Sequence, residues 1–169
     1  TYICDPVMGD SGGLYVPEAT ATAIRDRLMP LADIATPNRY ELEWISGAKL
    51  PDMTEIMKAA RAAGPQTMLV TSAPAGDGIA NLLVHGGEAL LAEHGIVARP
   101  PNGLGDLTAA LYLARILSGR APADALRSTT SAVYDILART VERGGDELHL
   151  ETDAGCLSNP TAAVELRRL

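Results

Sequence analysis

Apolar positions in this chain fall into short dense runs and longer stripes at helical spacing, and the two kinds alternate. Tyr2 to Asp5 is a short apolar run stopped by Pro6, the pattern of a buried strand in a parallel sheet. Pro17 opens a helix whose apolar stripe is Thr20, Ile24, Leu28 and Leu31. Asp33 to Thr36 is a second short strand, stopped by Pro37. One helix follows Asn38 and ends near Gly47. The next starts around Asp52, with Glu55 three residues on as a capping box, and stops at Gly64-Pro65. Thr67 to Thr71 is strand by composition. Ile79 to His85 and Ala89 to Glu93 predict a hairpin turning on Gly86-Gly87. Asp106 to Ser118 is apolar nearly all round, which predicts a buried helix closed by Gly119. Pro122 to about Arg143 is amphipathic, with Leu126, Val133, Ile136, Leu137 and Val141 inward, and Gly144-Gly145 ends it. Trp44 and Leu42 are expected in the core.

Strands alternating with helices predict an α/β fold, a mostly parallel sheet flanked by helices. In such sheets ligands sit at the carboxyl ends of the strands. The loops after Asp5, Thr36 and Thr71, and the loop before Asp106, all qualify. Their convergence says more than any one of them.

A length of 169 residues suits one domain with a sizeable core. The net charge of −7 argues against nucleic acid or an anionic membrane as partner. The basic pair Arg167-Arg168 reads as a solvated tail, and no apolar run is long enough to span a bilayer. Any phosphate must therefore be held by helix ends, backbone N–H groups and a metal. The two cysteines, Cys4 and Cys156, read as free thiols of a cytoplasmic protein. The chain opens without methionine, inside what reads as a strand, so sequence is expected upstream of Thr1.

Asn102-Gly103-Leu104-Gly105-Asp106-Leu107-Thr108, where a loop becomes a helix, is the most informative segment. Glycines let backbone approach a ligand, and a helix N-terminus aims unpaired N–H groups at it. A first-turn carboxylate would lie beside a bound phosphate, which is what phosphoryl transfer to an alcohol requires. The competing reading is a tight turn whose Asp106 only complements the helix dipole. The segment is not a dinucleotide fingerprint, since Thr108 replaces the third glycine, and no P-loop lysine motif occurs. Asn38 with Glu41 is a capping box and also a candidate site, with Glu41 placed to hold a hydrated magnesium ion. Asp5 and Asp10 flank the first loop as turn residues or as groups near phosphates and their cations. Gly9-Asp10-Ser11-Gly12-Gly13 copies the letters around the nucleophile of chymotrypsin-like proteases, but an α/β chain is the wrong fold for that chemistry. His85, His94 and His149 lack metal-ligand spacing and read as surface or edge residues.

With these residues in hand, the chain resembles the pyridoxal kinases of the ribokinase-like superfamily, of the bacterial pyridoxamine/pyridoxal kinase type. The resemblance rests on Cys4-Asp5-Pro6-Val7-Met8-Gly9-Asp10, Gly13-Leu14-Tyr15-Val16 and Ala35-Thr36-Pro37-Asn38 with Glu41. It continues through Gly103 to Thr108 and Ser131-Ala132-Val133-Tyr134. It implies that residues 1–169 are the C-terminal portion of a single kinase domain carrying the ATP site and catalytic loop. Asp106 would be the base at the substrate hydroxymethyl group and would contact substrate. Gly103, Leu104 and Gly105 would form the anion hole. Asp5, Thr36, Asn38 and Glu41 would contact ATP phosphates or their magnesium, with Glu41 and Asp10 as metal residues. Thr71 and Ser72 would lie along the nucleotide, and Ile96 to Ala98 would border the adenine. The resemblance further implies Mg2+, ATP as co-substrate, a monovalent cation, pyridoxal-type substrates of vitamin B6 salvage and a homodimer. Hydroxymethylpyrimidine phosphate kinase is the nearest rival, though that family commonly carries cysteine where Asp106 stands. A truncated, non-catalytic nucleotide-binding module is the rival from another class.

Overall fold

The computed structural model describes all of residues 1–169. Six strands form one sheet: β1 (Ile3–Cys4), β4 (Ile34–Ala35), β5 (Thr67–Ala75), β6 (Gly78–His85), β7 (Glu88–His94) and β8 (Glu165–Arg168), in that spatial order. The pairings β1·β4 and β4·β5 are parallel, and those from β5 to β8 are antiparallel. The sheet is thus mixed, because a hairpin and a returning tail extend the parallel half. A small ribbon of β2 (Gly9–Asp10) and β3 (Gly13–Leu14) stands apart from it.

Helices cover both faces. On one, α2 (Arg39–Ser46) and α3 (Met53–Ala62) bury Leu42, Ile56 and Ala60 against Met68, Val70, Leu82 and Val84. On the other, α4 (Leu104–Leu117) and α5 (Pro122–Glu142) bury Tyr112, Ala125 and Leu126 against Ile34, Leu69 and Leu83. Residues 68, 69 and 70 thus point alternately to the two layers, the period-2 rule of a strand buried on both faces. No helix is long and apolar enough to cross a membrane.

Several expectations are corrected. The first helix is only Glu18–Ala23 (α1) and passes into a π turn at Ile24–Leu28 and a 3₁₀ turn at Met29–Leu31. The wider π turn shifts the inward face, so Ala21 and Met29 are buried while Leu28 and Leu31 are exposed. Trp44 is half-buried rather than core and lies under the Arg25 guanidinium, 5.2 Å from its ring centre. Asp52 caps α3 at the Glu55 amide, but Glu55 pairs with Lys58 instead of closing the box. The helix read as buried all round, α4, leaves Ala110, Ala114 and Leu117 exposed. Arg167 and Arg168 are not a loose tail: they form β8, paired with Glu93 and Glu88 across the ladder. A short helix α6 (Ala154–Ser158), absent from the sequence reading, is tied to α5 by the buried Asp153 through Arg143.

Candidate functional site

The loops following β1, β4 and β5 meet the N-terminus of α4 at the carboxyl ends of the parallel strands. Their cleft holds about 530 Å³ and is lined by Asp5, Gly9, Asp10, Thr36, Asn38, Glu41, Thr71, Gly103, Gly105 and Asp106, together with Val7, Tyr15 and Asn102. Every expected site residue except Leu104 and Ser72 lines it, and those two line the adjoining cavity.

At the α4 end, Gly103 is the N-cap, with φ +89°, a left-handed conformation that costs glycine nothing. No side chain caps this helix, so the first-turn N–H groups of Leu104, Gly105 and Asp106 are left for an external acceptor. The helix begins at Leu104 rather than Asp106, which puts Asp106 at its third position. Its carboxylate is exposed and lines the cleft.

Opposite, the capping box of α2 is complete: Asn38 Oδ1 accepts from Glu41 N at 2.9 Å and Glu41 Oε2 from Asn38 N at 2.8 Å. Glu41 reaches further, with Oε1 accepting from Met8 N at 2.8 Å and Gly9 N at 3.4 Å. Asn38 Nδ2 donates to Gly9 O at 2.8 Å. Between them these side chains strap the first loop onto α2. The fit is close, because a Cβ on Gly9 would lie 2.6 Å from Gly13 O. Glu41 is 3% exposed and lines the cleft, with both carboxylate oxygens accepting from backbone amides. Burial nonetheless outweighs these bonds and raises its carboxyl above the ordinary range.

Asp5 accepts from Thr36 Oγ1 at 3.0 Å. Burial, with the charges of Glu41 and Asp106, pushes Asp5 up to about 6 despite that bond. Such a shift marks a region short of positive charge. Asp10, at the rim, is held below the ordinary range by the Tyr15 hydroxyl and by the Gly12 amide at 2.7 Å. No three His, Cys, Asp or Glu side chains converge closely enough to cage a bare metal.

Thr71 and Ser72 form a bulge in β5, where its register with β6 shifts between Val70 and Ala73. Ser72 has φ +58°, and Thr71 makes a single parallel bridge to Asn38. Beyond the bulge lies a second cavity of about 170 Å³, reached past Thr71 and Gly105. Its walls include Ile79, Ile96, Val97, Val133 and Leu137, so the expected Ile96–Ala98 border is partly present. His94 and Tyr134 also line it, their rings 5.2 Å apart. His94 is part-buried at the end of β7, and burial lowers its proton affinity. Sequence reasoning gave Asn81, His94, Thr130 and Tyr134 no place at the site. Asn81 was the legible signal, a lone polar residue inside an apolar strand.

Comparison with known proteins agrees with this architecture. The family described as phosphomethylpyrimidine kinase matches residues 1–151. Pyridoxal kinase PdxY of Leifsonia xyli subsp. xyli is 39% identical over 99% of this chain and 62% of its own length. That of Corynebacterium diphtheriae is 35% identical over the same shares. The chain thus spans about six-tenths of the curated relatives it matches. Among solved structures, pyridoxal kinase from Entamoeba histolytica superposes with a TM-score of 0.89 at 25% identity, covering 99% of this chain and 61% of that one. The Leishmania donovani pyridoxal kinase in complex with ADP and pyridoxine gives 0.88 at 26%, over 99% and 61%. The fold is therefore the ribokinase-like α/β arrangement. By sequence match and fold together, the chain belongs to the phosphomethylpyrimidine kinase family.

Proposed function

We propose that this chain carries the ATP site and catalytic loop of a kinase that phosphorylates the 5'-hydroxymethyl group of pyridoxal and related B6 vitamers. Residues 1–169 are then the C-terminal portion of one kinase domain, which the greater length of its relatives supports. The observation that carries the reading is Asp106, exposed in the cleft on the first turn of an uncapped helix. Similarity to proteins named pyridoxal kinase directs it to that substrate.

In this reading the amides of Leu104 and Gly105 receive the phosphoryl oxygens at the positive end of α4. Asp106 orients the substrate hydroxyl and accepts its proton late, since a loose transition state needs little early proton removal. Magnesium would supply charge neutralisation at the phosphates, and the electron-rich surroundings of Asp5 fit a cation held there through water or phosphate oxygen. Asp10 is available to it, and Glu41, on the same cleft wall, adds its charge to the hydrated ion. Thr36, Thr71 and Ser72 line the path from phosphates to the apolar cavity, which takes the nucleoside. A monovalent cation and a homodimer belong to this reading through resemblance alone.

The test is a coupled assay of ATP consumption with pyridoxal and with hydroxymethylpyrimidine, on the wild type and Asp106→Asn. Faster turnover with pyridoxal is expected, and a loss of at least about a hundredfold in the variant while ATP still binds. Near-normal turnover would refute the role of Asp106. A preference for hydroxymethylpyrimidine would move the substrate to the chemistry named in the family description.

A further inference from the structure

Asn81 breaks an otherwise apolar strand. It lies on β6 between Ile79 and Leu83, on the face covered by α5, and is 6% exposed. Its Nδ2 donates to Thr130 Oγ1 on α5 at 2.9 Å. A carboxamide offers two donors and an oxygen acceptor. Only one donor is used here: no protein group donates to Oδ1, which is not sealed from the cavity. Burying a half-satisfied amide is costly, so a position that only needed packing would favour an apolar residue. Both Asn81 and Thr130 line the 170 Å³ cavity beyond the bulge, among Ile79, Val97, Val133 and Leu137. The Thr130 bond anchors one edge of the amide, and the other edge is open to a ligand in that space.

We propose that Asn81, held in place by Thr130, selects the nucleobase, accepting from the exocyclic amino group of adenine and rejecting 6-oxopurines. This rests on the nucleotide reading given above. Oδ1 accepts the amino N–H, and the second Nδ2 hydrogen donates to an adjacent ring nitrogen, the two-point match between a carboxamide and adenine. A 6-oxopurine sets a carbonyl oxygen against Oδ1, with two acceptors facing each other. The tilted rings of His94 and Tyr134 supply the aromatic wall for the base.

Calorimetric titration of the full chain with ATP, ITP and purine riboside triphosphate tests this without any variant. ATP should bind at least about tenfold more tightly than ITP, with purine riboside triphosphate in between. The isosteric Asn81→Leu should bring ATP and ITP within about threefold of each other, and Thr130→Val should narrow the gap. Equal affinity of the wild type for ATP and ITP, or a preference for ITP, overturns the assignment while the nucleotide site stands. So does an Asn81→Leu protein that keeps the wild-type preference. Failure of the wild type to bind any of the three overturns the nucleotide reading itself, and the selectivity with it.

Discussion

Glu41→Ala separates a carboxylate that frames the cleft from one that ligates a metal. In the wild type, the amide of Met8, a residue with no exposed surface, donates to Glu41 Oε1 at 2.8 Å. Stranding that buried donor costs about 1–3 kcal/mol. The Asn38 amide loses its partner at 2.8 Å, but Asn38 is half-buried and water can replace the bond, so the broken capping box costs about 1 kcal/mol. The 3.4 Å bond from Gly9 is long and adds little. Relief of a buried charge, evident in the raised carboxyl, offsets part of the loss. The net is a destabilisation of about 2–3 kcal/mol, a large share of a typical domain stability of about 5–15 kcal/mol. In urea unfolding without metal or nucleotide, the midpoint should fall with the slope unchanged. A residue kept only to bind metal would do the opposite: removing its buried charge in metal-free buffer would raise the midpoint or leave it alone. Either result would refute the framing role.

Two further outcomes follow from the charges. Asp5 holds its proton more tightly folded, at about 6, than at its ordinary 3.8, so its stabilising contribution is complete below that lower value and is lost as pH rises to about 6. Thermal midpoints of the ligand-free chain should show this component falling across the window, and Asp5→Asn should remove it; identical pH slopes in the two proteins would contradict the shift. Asp153→Ala should cost about 1–2 kcal/mol, because the Asp153 carboxylate is buried but its partner Arg143 is exposed enough to regain water. Faster hydrogen exchange at residues 154–158 would localise the loss, and unchanged exchange there would break the proposed link to α6.

Local chemistry made much of this legible. The capping box at Asn38 and Glu41 needs only an asparagine, a glutamate and three residues of spacing, and the structure closes it in both directions. The hairpin at Gly86-Gly87 announced itself through two apolar runs and a pair of positive-φ glycines. What failed was tertiary. Nothing near Glu41 in sequence shows that the Met8 and Gly9 amides will fold onto it. The strand through Arg167 and Arg168 pairs with Leu91 and Leu90 of β7, and its ion pairs to Glu93 and Glu88 join residues far apart in the chain. The slip at Ile24–Leu28 cannot be seen by a fixed 3.6-residue period, which assigned Leu28 and Leu31 inward. Only part of the apolar cavity was legible, at Thr71, Ser72 and Ile96 to Ala98, because Ile79, Asn81, His94, Thr130 and Leu137 come to it from β6, β7 and α5 and share no motif with them.

Gly105 stands at the doorway between the two cavities, and a methyl group added there would meet no protein atom within 4 Å. Nothing in the fold therefore resists alanine at this place, and alanine is the better helix former by about 1 kcal/mol. A search for heat-tolerant versions of this chain would favour filling it, and would narrow the opening between the two cavities as it stiffened the helix.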